Sequence, residues 1–417
     1  MTRIPVAEAL ASVLPRQTRV EAYDGSAAGP ANAQVVLRVQ SPLALSHLVS
    51  APGELGMARA YISGELDADA PDHYTLLRAL AKTKMADLSW AERLQVLGSL
   101  GREAVHWVEP PPQEVGAKRY LSGLRRHSRG RDALAIAHHY DVSNAFYRWV
   151  LGPSMAYTCA VYTSPEVTLE QAQEEKFDLV CRKLALEPGM RLLDVGCGWG
   201  GMALHAARRY GVQVVAATLS RQQAEWGQKA VADAGLTGQV DIRYSDYRDV
   251  REDRFDAISS IGLTEHIGIA QIPAYAAFLA DKLVPQGRLL NHCVTRPDDH
   301  SAPISKRGFI PRYVFPDGEL PGVGRLVRDL QGAGLEVRHE ENLREHYTRT
   351  LAGWSANLEA HWEECVAEAG EGRARVWRLY MPACQVGFDL NNIQLHQVLG
   401  VRLDETGSAG FPLRPAY

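Results

Sequence analysis

Leu192-Leu193-Asp194-Val195-Gly196-Cys197-Gly198-Trp199-Gly200-Gly201 limits what this chain can fold into more than any other stretch. Two apolar residues lead into an acid, and glycine then takes every second position. A helical pattern from Met202 to Tyr210 follows at once. That order describes a buried parallel strand turning sharply into a helix beneath a nucleotide-like ligand. Glycine permits positive φ in such a turn and lets the backbone approach the ligand. The dinucleotide fingerprint G-x-G-x-x-G has another spacing. The pattern here, D-x-G-x-G-x-G, suits S-adenosylmethionine, which lacks a pyrophosphate but carries an ammonium and a sulfonium. A glycine turn alone could be merely structural; strand, acid and helix together favour a methyltransferase.

Strands and helices alternate around this turn. Helices are expected over 172–184, 202–209, 221–234 and 272–283, and strands over 190–195, 212–217, 240–244, 255–261 and 288–294. Such alternation predicts an α/β fold with a doubly wound, Rossmann-like parallel sheet of the class I methyltransferase kind. Residues 1–107 read as a smaller N-terminal α/β domain associated with lipid or substrate. In it Val35–Val39 is a strand, Leu43–Leu48 opens a helix that Gly53 and Gly56 break, and Met57–Ile62 runs to a turn at Ser63-Gly64. Pro110-Pro111-Pro112 stiffens a basic linker over 108–133. The catalytic domain is expected over 134–417. Its segment 295–345, with Pro297, Pro303, Pro311, Pro316 and Pro321, reads as an insertion forming a lid or an acyl-chain pocket.

With 46% hydrophobic and 23% charged residues the chain can bury a sizeable core. A formal net charge of −4 argues against a general nucleic-acid binder. Yet Lys118, Arg119, Arg125, Arg126, Arg129 and Arg131 follow one another without an acid. They are either a solvated linker or a patch for anionic lipid headgroups, at about 1 kcal/mol per charge. The cysteines form no C-x-x-C, so neither zinc nor a disulfide framework is indicated. The first residues lack a signal-peptide core, and no run approaches the roughly 18 apolar residues of a membrane span. A cytoplasmic protein peripheral to the inner face of the membrane is expected.

About 20 residues past the glycine turn, nucleotide folds usually place an acid for the ribose. This chain has Thr218-Leu219-Ser220-Arg221-Gln222-Gln223 there. Ser220 could cap the next helix, and Gln223 could meet the ribose. Asp246-Tyr247 follows a strand, where an adenine amino group and ring edge are often held. Tyr157-Thr158-Cys159, Glu265-His266, His292-Cys293 and Tyr347 are further polar pieces. Strand carboxyl ends face the ligand crevice, which puts Glu265 and His292 on the reactive side. Chain order alone does not bring these pieces together.

His139-Tyr140-Asp141-Val142-Ser143-Asn144-Ala145-Phe146-Tyr147 resembles the opening motif of the cyclopropane-fatty-acyl-phospholipid synthase and mycolic acid cyclopropane synthase family. So do Met155–Ala160, the glycine turn with Trp199, Thr218-Leu219-Ser220, Glu265-His266-Ile267-Gly268 and Phe315-Pro316-Asp317-Gly318. The likeness runs from about residue 135 to the C-terminus, and the missing ribose acid is usual in that family. The N-terminal extension resembles that of the phospholipid-acting members. The resemblance implies S-adenosylmethionine contacts at Tyr157, Thr158, Asp194, Gly196, Gly198, Gly200, Thr218, Ser220, Gln222, Gln223, Asp246 and Tyr247. It implies a bicarbonate pocket at Cys159, Glu265, His292 and Tyr347. Cys384 resembles a family cysteine sometimes labelled catalytic; a structural thiol is the preferred reading, since the chemistry needs no protein nucleophile.

An isolated alkene is a poor nucleophile, so a sulfonium methyl must be held in line with it. The resulting carbocation needs a dry pocket with aromatic faces, for which Tyr140, Tyr157, Trp199, Tyr313, Phe315 and Tyr347 are candidates. Bicarbonate then serves as base. Proton loss from the new methyl closes a cyclopropane; a prior hydride shift leaves a methylene, which a flavin-dependent reductase could saturate to a 10-methyl branch. Tyr23-Asp24-Gly25-Ser26 and Ala51–Gly56 have the look of that second branch. Expected partners are an unsaturated phospholipid, an anionic membrane surface, such a reductase and a second copy of the chain. The competing readings are a methyltransferase of a soluble small molecule, which leaves Cys159, Glu265, His292 and Tyr347 unexplained, and a lipid-binding scaffold.

Overall fold

A computed structural model describes residues 4–81, 107–115, 142–300 and 305–417. The basic run Lys118–Arg131 and His139-Tyr140-Asp141 lie outside the described residues. The chain divides into two units. Unit 1 comprises 1–121, 305–316 and 362–386, so two C-terminal segments join the N-terminal one; unit 2 comprises 122–304, 317–361 and 387–417.

Unit 1 opens with α1 (Val6–Ala11), β1 (Thr18–Ala22), β2 (Ala27–Ala28), β3 (Val35–Val39), α2 (Pro42–Ser50), α3 (Glu54–Ile62), β4 (Leu66–Asp69) and α4 (His73–Leu80). Its strands lie in the order β2-β1-β3-β4. Val20, Leu37, Val39, Ala60, Leu66 and Leu76 form its core. Gly56 does not break a helix as the sequence suggested: it sits inside α3, where a Cβ would come 2.3 Å from the Ala51 carbonyl. The glycine lets α2 and α3 pack closely. Asp24 and Ser26 accept from the backbone N–H groups of Val6 and Ala7, tying the Tyr23–Ser26 turn to the start of α1.

Unit 2 begins with α5 (Asn144–Leu151), α6 (Leu169–Leu184), β5 (Arg191–Val195), α7 (Gly201–Tyr210), β6 (Gln213–Thr218), α8 (Arg221–Asp233) and β7 (Val240–Tyr244). There follow β8 (Phe255–Ile261), α9 (Thr264–Ile267), α10 (Ile272–Lys282) and β9 (Leu283–Thr295). After α11 (Phe309–Tyr313) of unit 1 come α12 (Val323–Gly332), β10 (Leu335–Asn342) and α13 (Arg344–Ala360). α14 (Trp362–Ala369) and most of α15 (Glu371–Asp389) belong to unit 1 and precede the last strand, β11 (Gln394–Arg402), of unit 2. Within the proline-rich segment Phe309–Tyr313 and Val323–Gly332 are therefore helices, and Leu335–Asn342 is a strand at the sheet edge.

The seven strands lie in the order β10-β11-β9-β8-β5-β6-β7. β5 pairs in parallel with β6 on one side and β8 on the other, so the winding reverses at β5. β11 runs antiparallel between β9 and β10. Packing on both faces explains the unbroken apolar reading of β5 and β8. Ser143 caps α5, and Thr168 with Gln171 forms a capping box at α6.

In unit 1, Arg59 donates to both oxygens of Glu114 at 2.6 and 2.7 Å, and the Tyr313 hydroxyl donates to the same carboxylate at 3.2 Å. This joins α3, residues 107–115 and α11. The two charged side chains are only 11% and 4% exposed. Glu114→Ala should therefore destabilise the protein by about 3 kcal/mol, because it leaves Arg59 buried without its partner. Adding Arg59→Met should recover part of that loss in chemical denaturation; a single-variant cost within experimental error would contradict the assignment.

Candidate active site

The glycine turn sits at the carboxyl end of β5, where the sheet order reverses and ligand crevices form in open α/β sheets. Gly196, Gly198 and Gly200 all have positive φ. A Cβ on Gly198 would meet no protein atom within 4 Å, so that face of the turn is open to a ligand. Tyr157, Thr158, Asp194, Gly196, Gly198, Trp199 and Gln223 line one pocket.

Asp194 is 1% exposed. Its Oδ1 accepts from Ser259 Oγ on β8 at 2.7 Å, while Oδ2 has no protein partner. Burial pushes its carboxyl up to about 6. A buried carboxylate oxygen without a donor fits a cationic ligand. Thr218 donates to Gln223 Oε1 at 2.8 Å, and Ser220 does cap α8 by accepting from the Gln223 N–H. Gln223 is buried and Gln222 exposed, so the helix offers the former to the pocket. Asp246 gives both carboxylate oxygens to Arg248, and the Tyr247 ring packs edge-on against Tyr275 and Phe278.

The described part of the opening motif rests on the same turn. Trp199 Nε1 donates to Asn144 Oδ1 at 2.8 Å, and Tyr147 packs on Trp199. Tyr147 also touches Tyr157, which touches Trp354, which meets Tyr347 edge-on. An aromatic series therefore runs from the glycine turn to Tyr347 on α13.

Glu265, on α9 beyond β8, is half-buried, with its Oε2 shielded from solvent. Its Oε1 accepts from the Val294 N–H at 2.7 Å, two residues along β9 from His292. Its Oε2 has no protein partner, and burial pushes the carboxyl up to about 7. His292 is held well below its ordinary value by burial and stays neutral. Its tautomer follows from its neighbours. Lys183 donates to Gln397 Oε1 at 2.7 Å, which turns the amide NH2 toward His292 Nδ1 at 3.2 Å. Nδ1 accepts, so Nε2 carries the hydrogen, and that donor has no protein partner. An acceptor-capable carboxylate and an unmet N–H donor suit a small oxyanion bearing a hydroxyl. The Cys159 thiol, pushed well up by burial, contacts the Leu343 carbonyl, which also receives the Tyr347 N–H at the start of α13. Cys384 lies in unit 1 on α15, with its thiol pushed up to about 12. Tyr313 and Phe315 also belong to unit 1.

Lys176 escaped the sequence reading. It is fully buried, donates to Thr158 Oγ1 at 2.8 Å and is pulled down to about 7 by desolvation. Its field reaches Cys159, Asp194 and His292. The legible signal was a lysine in the apolar stripe Ala172, Val180 and Leu184 of α6, at steps of four.

Fold and pocket define a class I S-adenosylmethionine-dependent methyltransferase. The sequence model of mycolic acid cyclopropane synthetase matches residues 127–398, and the chain belongs to that family. It is 54% identical over 400 residues to the probable fatty acid methyltransferase Rv3720 of Mycobacterium tuberculosis, covering 94% of this chain and 93% of that protein. It is 31% identical to the cyclopropane-fatty-acyl-phospholipid synthase of Escherichia coli K12, covering 89% of each. Among solved structures, the cyclopropane synthase MmaA2 from M. tuberculosis superposes with TM-score 0.62 at 32% identity, covering 66% of this chain and 99% of that one. The mycolic acid cyclopropane synthase CmaA1, complexed with SAH and CTAB, gives 0.61 at 31%, covering 65% and 98%.

Two outcomes test the pocket. Gly198→Val should cut S-adenosylmethionine affinity at least about a hundredfold in calorimetry while the protein still melts cooperatively, because the branched side chain fills the open face. A cation beside Asp194 favours its carboxylate. Affinity should therefore be full above about pH 7 and fall about tenfold per pH unit below the Asp194 value of about 6, since binding must then displace a proton. Affinity independent of pH between 5 and 8 would remove Asp194 from the site.

Proposed function

We propose that the protein transfers a methyl group from S-adenosylmethionine to the double bond of an unsaturated phospholipid acyl chain. The observation that carries this reading is the pair of unmet polar atoms, Glu265 Oε2 and His292 Nε2, in a buried surround. A methyltransferase of amines or hydroxyls has no need of a second, anion-suited site. Similarity over nearly the whole chain to proteins named fatty acid methyltransferase and cyclopropane-fatty-acyl-phospholipid synthase supports the lipid substrate. A soluble small-molecule substrate leaves those two atoms without a purpose.

Asp194 Oδ2, Gln223 and the open face of Gly198 would hold the methyl donor, which supplies an electrophilic methyl. Glu265, His292, Cys159 and Tyr347 would hold bicarbonate, which supplies a general base that the protein side chains lack. Neutral His292 donates from Nε2 and cannot add a competing positive charge. The Glu265 carboxylate accepts a hydroxyl hydrogen and so orients the base. Burial of Cys159 keeps it a thiol, unable to capture a carbocation as a thiolate would. Tyr157 and Tyr347 present ring faces that stabilise positive charge on the acyl chain without reacting with it. Water exclusion by Trp354 and its aromatic neighbours keeps that cation from being quenched.

Loss of a proton from the added carbon would give a cyclopropane, and loss after a hydride shift a methylene. A flavin-dependent reductase is the partner proposed for the second product. Among the described residues no helix is long and apolar enough to cross a membrane. The basic run from Lys118 to Arg131 is proposed to bring the protein to anionic membrane surfaces.

Turnover on vesicles of unsaturated phospholipid should rise with pH through about 7, as Glu265 becomes the carboxylate. Glu265→Gln should flatten that rise and lower kcat by about a hundredfold, within the range for general base catalysis, with unchanged S-adenosylmethionine affinity. Near-normal turnover in that variant would exclude the anion site from catalysis.

A further inference from the structure

Unit 1 contains a cavity of about 720 Å³ that the methyl-transfer reading does not use. Its walls come from α3, β4, α4, α11 and α15, and include Met57, Leu77, Leu80, Phe309, Leu379 and Val386. Three distant stretches of sequence therefore converge on one apolar space. Among the described residues no lysine, arginine or histidine lines it.

The polar side chains in the wall are already engaged. Glu54 Oε1 accepts from the Phe309 N–H at 3.1 Å. The Tyr61 hydroxyl pairs with His73 Nε2 at 2.9 Å. Among the described residues the wall offers no cation for a phosphate, and its two polar side chains are held by protein partners. The remaining lining is apolar and suits hydrocarbon. At about 30 Å³ per water-sized group, the space holds on the order of twenty such groups. That is the length of a long acyl chain, and the volume falls in the range of ligand-sized cavities.

We propose that this cavity is a second lipid-binding site, which takes one hydrocarbon chain of a lipid tail first and leaves the headgroup outside. The proposal shares the substrate class of the reading above but not its site. It requires neither methyl transfer nor the anion pocket. Its walls include residues of 305–316 and 362–386, so the C-terminal segments that join unit 1 complete the site and do not merely brace it.

Photolabelling of the full-length protein tests it. A chain carrying a mid-chain diazirine is supplied either within a phospholipid in dioleoylphosphatidylcholine vesicles or as the free fatty acid, and adducts are mapped by peptide mass spectrometry. Adducts on peptides from α3, α4 and α15 are expected, and the arm that gives them identifies the source of the chain. Ala383→Phe and, separately, Met57→Trp fill the space. Each should lower those adducts at least tenfold, while adducts in unit 2 and S-adenosylmethionine binding stay unchanged. Two variants guard against one that fails to fold. Labelling of unit 2 alone in the parent overturns the proposal, and so do filled variants that label like the parent. Labelling of unit 1 alone supports it, and counts instead against the acyl substrate proposed for unit 2.

Discussion

The catalytic unit depends on keeping water away from polar groups that have no protein partner. Asp194, Glu265 and His292 each bring one such atom into the interior of a tightly packed sheet. Stranding a buried polar atom costs on the order of 1–3 kcal/mol, so three of them represent an expense that ligands can relieve. Each also has one atom well held, by Ser259, by the Val294 N–H and by Gln397. The held atom sets the direction of the free one. A site of this kind is rigid before any ligand arrives, which lowers the ordering cost of binding.

Lys176 and Lys183 show how α6 serves that arrangement from below. Both ammonium groups are buried, yet they act differently. Lys183 reaches Glu341 and Gln397, and through the amide it orients His292. Lys176 bonds to Thr158 and biases the charge on Asp194 and Cys159 from the same helix. The helix is therefore amphipathic in an unusual sense: its inner face contains two long basic side chains whose nitrogen atoms end on Thr158, Glu341 and Gln397. Their methylene stems pack in the core while the nitrogen atoms meet oxygen.

Unit 1 has a different economy. Its ionic centre, Arg59 with Glu114, is fully paired and joins three segments of chain. Among the described residues its cavity wall has no unmet polar group, in contrast to the pocket of unit 2. The two interiors are thus built differently, one around unmet polar atoms and one around apolar side chains.

Local sequence was sufficient for the strand–turn–helix at Asp194, because alternating glycines and an apolar run have few other solutions. It was sufficient too for the alternation that makes the sheet parallel, and for Ser220 as a cap, since these depend on neighbours within four residues. Gly56 reads as a breaker from local sequence because its reason is a close approach to the Ala51 carbonyl across a turn, and a glycine breaks or permits depending on what lies opposite. Lys176 has only its place in the apolar stripe of α6 as a signal, because a charged residue on a helix is normally solvated. The strand at 335–342 was hidden behind the prolines that precede it. Which residues of the polar set meet, which His292 nitrogen carries the hydrogen, and which segments line the cavity of unit 1 are matters of long-range packing. The amino-acid order determined the cofactor turn and the fold class; only the tertiary structure decided which atoms of Glu265 and His292 stay unmet, the burial of the two lysines and the apolar cavity, because each is formed by groups far apart in the chain whose burial no local pattern records.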